Sequence, residues 1–184
     1  MLGERGGNRG NEDRAVGPRN SPSGRAPQKV TRNRRLDVNM KPKKLKLKKT
    51  FTPPNRDKGD EFFPNGIFEF NITKMIAFIN ANPAQFSVEE IEVKRYAIWD
   101  AKQLNEEAAA KANISNPIIL AEISPGRFNV IDGNHRLERA RRMGLEKISA
   151  YRVSVEHHLG FLTSERAYRA YIEYWNSKVD EWDE

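Results

Sequence analysis

Between residues 116 and 153 the spacing of apolar positions changes from strand to helix and back. Asn116-Pro117 opens a run of Ile, Leu and Ala over 118–123, and Phe, Val and Ile recur over 128–131. The four residues between, Ser124-Pro125-Gly126-Arg127, put Pro and Gly at the two central positions of a type II turn, so the two runs read as an antiparallel hairpin. Leu137, Ala140, Met143 and Leu145 then fall at helical spacing, which predicts a helix over 137–143 with these residues inward and Arg139, Arg141 and Arg142 in water. Gly144 is placed to end it as the C′ residue. A further strand is predicted over 147–153, and the resulting ββαβ unit suits a small α/β (α+β) domain with a mixed sheet.

On either side the pattern is thinner. Residues 66–70 form a short strand candidate, and Asn71 can cap a helix to about residue 80 with Ile72, Met75, Ile76 and Ile79 inward. Asn82-Pro83 ends it. Over 88–96, Ile91, Val93 and Arg95 share one side, consistent with a strand or an extended edge. Trp99-Asp100 precede an Ala- and Glu-rich helix expected over about 101–112. The last helix, from a cap at Thr163 or Ser164 to about residue 182, sets Tyr168, Tyr171 or Ile172, Trp175, Val179 and Trp182 three to four apart. Such a stripe closes a core; a partner surface or a base-stacking face is the alternative.

Composition divides the chain. Residues 1–60 hold 17 Lys and Arg against 6 Asp and Glu, whereas residues 61–184 hold 15 against 19, so the basic excess belongs to the N-terminal part. That part is rich in Gly, Pro, Asn and Arg, and disorder is expected through residue 60 because too little apolar surface is available to offset the entropy of ordering it. The division read from sequence is therefore a basic tail at 1–60, an α/β domain at 61–155 and a helical extension at 156–184. The run KPKKLKLKK, 41–49, is open to two readings, a solvated linker or a loose, non-specific contact with nucleic acid; a nuclear address is a third. Met40 is an alternative start, which would make residues 1–39 an upstream extension. No stretch of eighteen apolar residues, and no apolar core of a secretion signal, is present. With no cysteine and three histidines, a structural zinc site is not expected, and the cytoplasm is the expected location.

The chemistry concentrates in Asp132-Gly133-Asn134-His135-Arg136, where strand turns into helix. A glycine bend there exposes the first unpaired N–H groups of the helix at the positive end of its dipole, which suits an anion. His135 and Arg136 in that first turn are cations where cations are unfavourable unless an anion joins them. Asp132 is read either as the helix N-cap or as a ligand of metal or hydroxyl, and Glu122, on the hairpin's first strand, either as a partner for a basic residue of the helix or as a general base. His157-His158 are adjacent, a spacing that does not place both rings on one face, so a surface or packing role is expected.

The segment 116–153 resembles the ParB/sulfiredoxin-like superfamily, whose members pair such a hairpin with a DGxHR phosphate-binding turn, helix, Gly and strand. The resemblance implies a nucleotide or phosphate site, with Gly133, Asn134, His135 and Arg136 matching the phosphate-contacting turn, and it implies that material such as 88–112 packs beside that turn and supplies substrate contacts. Two branches do not fit. Sulfiredoxins carry a Cys directly before the His-Arg pair, where this chain has Asn134, so sulfinic acid repair is excluded. The chromosome-partitioning branch has a Gly-Glu-Arg-Arg type box followed by a helix-turn-helix domain, whereas here only about thirty residues follow Val153.

Three function classes remain. The first is a nucleotide-binding enzyme, a hydrolase or phosphotransferase in which Arg136 neutralises developing charge and Asp132 or Glu122 holds Mg²⁺ or accepts a proton. The second is a non-catalytic nucleotide sensor whose basic arm contacts nucleic acid. The third, ranked last because the 61–184 region is acidic and shows no clustered carboxylates, is a nuclease. The expected ligand is a nucleoside di- or triphosphate, ATP or CTP among them.

Overall fold

The computed structural model describes residues 42–97 and 104–183. The tail to residue 41, Trp99, Asp100 and the start of the helix expected over 101–112 lie outside the described residues.

β1 (Phe62–Asn65) and β2 (Phe68–Asn71) form an antiparallel hairpin. α1 (Ile72–Ala81) follows at once, because the Asn71 side chain accepts from the Lys74 N–H at 3.0 Å and turns the chain into a helix. Ile72, Met75 and Ile79 are buried as the spacing predicts, while Ile76 is only half-buried. β3 (Val88–Glu92) runs into a 3₁₀ turn, Val93–Arg95, so Ile91 and Val93 face inward but Arg95 does not share their side and is exposed. The helix expected over 101–112 is, within the described residues, the short α2 (Glu106–Lys111), capped by Asn105.

The central ββαβ unit is as the sequence predicts. β4 (Ile118–Ser124) and β5 (Arg127–Asp132) pair antiparallel, with the positive φ of 70° at Gly126 that a type II turn requires. α3 (Asn134–Arg142) crosses to β6 (Lys147–Val153), which lies parallel to β4 and antiparallel to β3, giving a four-stranded mixed sheet in the order β3-β6-β4-β5. α3 ends in a six-to-one and a five-to-two hydrogen bond, Leu145 N–H to the Ala140 carbonyl and Gly144 N–H to the Arg141 carbonyl, both at 3.0 Å, with Gly144 at φ 69°. Met143 and Leu145, expected inward, are exposed because the chain has already left the helix there.

Central β4 is covered on both faces, which explains the apolar run Ile118–Ala121. Ile118 and Leu120 pack with Val130, Ile148, Ala150 and the α3 residues Leu137 and Ala140. Ile119, Ala121 and Ile123 pack on the other side with α1, β2 and α5 (Glu165–Asp180). α5 starts at Ser164, whose hydroxyl accepts from the Ala167 N–H at 3.1 Å, and buries Tyr168, Tyr171, Ile172, Trp175 and Val179. Trp182 is the exception to the expected stripe and is half-exposed. Between sheet and α5 lies α4 (Val155–His158), where His158 is fully buried, edge-on to Phe70 and Tyr171.

Disorder through residue 60 does not hold for the described part of that segment. The Trp175 indole N–H donates to the Lys43 carbonyl at 3.0 Å, and the Asn176 amide donates to the Leu45 carbonyl at 3.0 Å while accepting from the Leu45 N–H at 2.7 Å. Phe51 stacks on Tyr168 with ring centroids 3.9 Å apart. An extended, lysine-rich strap thus pairs its backbone with side chains of α5, and Leu45 and Phe51 bury enough apolar surface to hold it there.

Candidate functional site: a glycine turn beside a polar hollow

Asp132 is the last residue of β5, and Gly133, at φ 92° and ψ 23°, is the cap of α3, with no side-chain hydrogen bond at that position. This corrects the reading of Asp132 as the N-cap. The left-handed conformation favours glycine, and space demands it as well: a Cβ on Gly133 would stand 2.6 Å from Ile118 Cγ2 and within 2.9 Å of the Arg136 guanidinium. Arg136 therefore folds back across the glycine, and its guanidinium donates to Asp132 Oδ2 at 2.5 Å. Both side chains are about a fifth exposed.

A hollow of about 390 Å³ opens beside this pair. Ile76, Ile79 and Ile119 give it an apolar wall, and Asn80 of α1, Asn116 ahead of β4 and Tyr151 of β6 add polar groups to those of Asp132 and Arg136. Two buried atoms of the turn, Arg136 Nε and Asn134 Oδ1, have no hydrogen-bond partner. Native interiors rarely leave such groups unmet, and where they do a ligand, a water or a strained functional site is the usual reason.

His135 is placed apart from Arg136. Its Nε2 accepts from the Asn105 N–H at 3.3 Å, on the side of α2. The remaining arginines of α3 also hold the chain around α2: Arg139 donates to the Ala112 carbonyl at 2.7 Å, Arg141 to the Tyr96 carbonyl at 3.0 Å, and Arg142 to Glu106 at 2.5 and 3.0 Å. The face expected to be merely wet is a set of ties to the segments on either side of residues 98–103.

Glu122 does not join the site. It pairs across from Phe128 at the turn end of the hairpin, while Asp132 pairs with Ile119 at the other end. Its Oε1 accepts from the Gly126 N–H at 3.0 Å, and burial pushes its carboxyl above the usual carboxylate range. No basic residue of α3 pairs with it among the described residues, so the helix ion pair is not formed, and a general base there would act away from the Asp132–Arg136 pair. The adjacent histidines have packing roles: His157 Nδ1 lies 3.1 Å from Ser154 Oγ, and His158 Nε2 lies 2.8 Å from the Glu122 carbonyl. Burial lowers the His158 pKa to about 4 and raises that of Tyr171, whose hydroxyl donates to the carbonyls of Glu122 and Ile123 at 2.8 and 2.9 Å.

Among the described residues Asp132 is the one carboxylate lining the hollow, and it is engaged by Arg136. Mg²⁺ needs six oxygen ligands and takes a protein site through carboxylates. The donor set that the described residues bring to the hollow does not fit a protein-held Mg²⁺. Asn80, Asn116 and Tyr151 had no sequence signal that set them together; Asn116 was legible only as the opener of a strand.

No protein-family model matches this chain, and neither a curated protein nor a solved structure is similar to it.

Proposed function

We propose that this chain is a ParB/sulfiredoxin-like module that binds a nucleoside di- or triphosphate, with the phosphates at Arg136 and the opening turn of α3 and the base against the wall of Ile76, Ile79 and Ile119. The observation that carries the reading is the guanidinium of Arg136, fixed across a left-handed glycine at the positive end of a helix and bordering a hollow of ligand size. The order of hairpin, glycine turn, helix and parallel strand supports the superfamily assignment. Gly133 and Arg136 keep the roles the resemblance implies, and His135 acts by holding the start of α2 beside the turn; Asn134 Oδ1, an acceptor, is not a phosphate contact.

Binding without turnover is favoured by one further observation: among the described residues the only carboxylate lining the hollow is engaged by Arg136, and Glu122 lies at the opposite end of β4. The nuclease reading gains nothing from the geometry, since a two-metal centre is built on clustered carboxylates and no group of three His, Cys, Asp or Glu side chains could share an ion among the described residues.

The test is thermal unfolding of the full chain with ATP, CTP, GTP and tripolyphosphate, each with and without Mg²⁺, alongside phosphate release. At least one nucleotide should raise the midpoint with no turnover. Arg136→Ala should weaken binding by about tenfold or more, about 1.4 kcal/mol, and Arg136→Lys by less. Unchanged binding in the alanine variant, or no stabilisation by any nucleotide, would reject the proposal.

A further inference from the structure

The opposite face of the sheet carries a second hollow, of about 470 Å³, beside the β4–β5 turn. Three arginines line it: Arg95 from the 3₁₀ turn after β3, Arg127 from the start of β5 and Arg152 from β6. They are brought together from three places in the sequence, within a region, 61–184, whose acidic residues outnumber its basic ones. Arg152 is paired with Glu89, but Arg95 and Arg127 border the same concavity with no ion pair of their own among the described residues, an arrangement that suits a ligand of opposite charge.

The arrangement is also partly preset. The Arg152 guanidinium lies over the Phe128 ring, 4.9 Å from its centroid, and its Nε stands 2.9 Å from a Glu89 carboxylate oxygen without making a hydrogen bond, so the ring positions this cation while Glu89 offsets part of its charge. Arg95 and Arg127 are exposed, and neither has a carboxylate at ion-pair distance among the described residues. Glu122, nearest at the turn end, keeps its carboxyl on the Gly126 amide.

We propose that this groove binds the backbone of single-stranded nucleic acid, with Arg95, Arg127 and Arg152 contacting phosphates and Phe128 beside the bases. Guanidinium groups next to an aromatic ring are a combination that single strands use, with charge tracking the backbone and a π-face accepting any base. A short groove holding three arginines does not match a duplex, which needs a broad basic face. The site is independent of the nucleotide hollow, on the other side of the sheet, and of the basic residues before the fold.

Anisotropy of a labelled oligothymidylate of about a dozen nucleotides with the full chain tests it. The double variant Arg95→Glu/Arg127→Glu should lose about tenfold or more in affinity, whereas Arg166→Glu/Arg169→Glu, the same charge change on the exposed side of α5, should lose less than about threefold. Tripolyphosphate should displace the oligonucleotide, and polyglutamate of matched charge should not. Equal losses in the two double variants would place the binding in net charge and the tail. A smaller loss in the groove variant, displacement by polyglutamate, or no binding by the wild type would each overturn the assignment.

Discussion

Gly133 decides how near Arg136 comes to the end of β5. Any side chain there meets Ile118 on one side and the guanidinium on the other, in a backbone conformation that costs an L-residue about 1–2 kcal/mol by itself. Overpacking adds a similar amount, so Gly133→Ala should lower unfolding stability by about 3 kcal/mol in denaturant titration and weaken nucleotide binding by displacing Arg136. A loss below about 1 kcal/mol would show that the turn relaxes freely and that the close approach is not a constraint. At this scale the sequence pointed to the right turn but not to the direction of each side chain. Asp132 and Arg136 stand four apart, a spacing that lets them meet across the turn, whereas the partner of His135, the Asn105 amide, lies thirty residues away and leaves no local trace.

Among the elements, those legible in sequence are the ones whose period and punctuation agree: the β4–β5 hairpin, α3 with its glycine end, β6, α1 behind its Asn71 cap and α5 behind Ser164. β1 was missed because Phe62–Asn65 contains Pro64 and is held by pairing with β2 rather than by its own pattern. The strap was missed for a similar reason. KPKKLKLKK reads as solvated charge, and its hydrogen-bond partners stand on α5, 131 and 132 residues further along the chain. Asn176 meets both backbone groups of Leu45 as a neighbouring strand would. Asn176→Ala should therefore cost about 1–3 kcal/mol and free the lysines of 43–49 for trypsin. Cleavage there at the wild-type rate, with stability unchanged, would mean that the strap is not held by this contact.

For the molecule as a whole, two cores on either face of one sheet give a mixed α+β fold, and among the described residues no helix is long and apolar enough to cross a membrane. Its unfolding should be acid-sensitive through His158. Burial lowers the folded pKa to about 4 from an ordinary 6.5, so the unfolded chain binds the proton more readily. That contribution is complete above pH 6.5 and is lost as pH falls from there toward 4, by about 3 kcal/mol in all. Glu122 acts the other way, because its raised folded pKa makes its contribution greatest in acid and lost as pH rises through the folded value. Glu122→Gln should accordingly steepen the acid loss, and His158→Phe should flatten it, in chemical unfolding followed across that range. Parallel profiles for wild type and His158→Phe would contradict a neutral buried imidazole.

The assignment of the glycine turn is tested most directly by the position of a bound nucleotide in a crystal of the full chain grown or soaked at saturating concentration. The account predicts phosphate oxygens within hydrogen-bond distance of the Arg136 guanidinium, with the remainder of the ligand between Asn80, Asn116 and Tyr151. Density for the nucleotide elsewhere, or an empty hollow with the Asp132–Arg136 pair undisturbed, would contradict it.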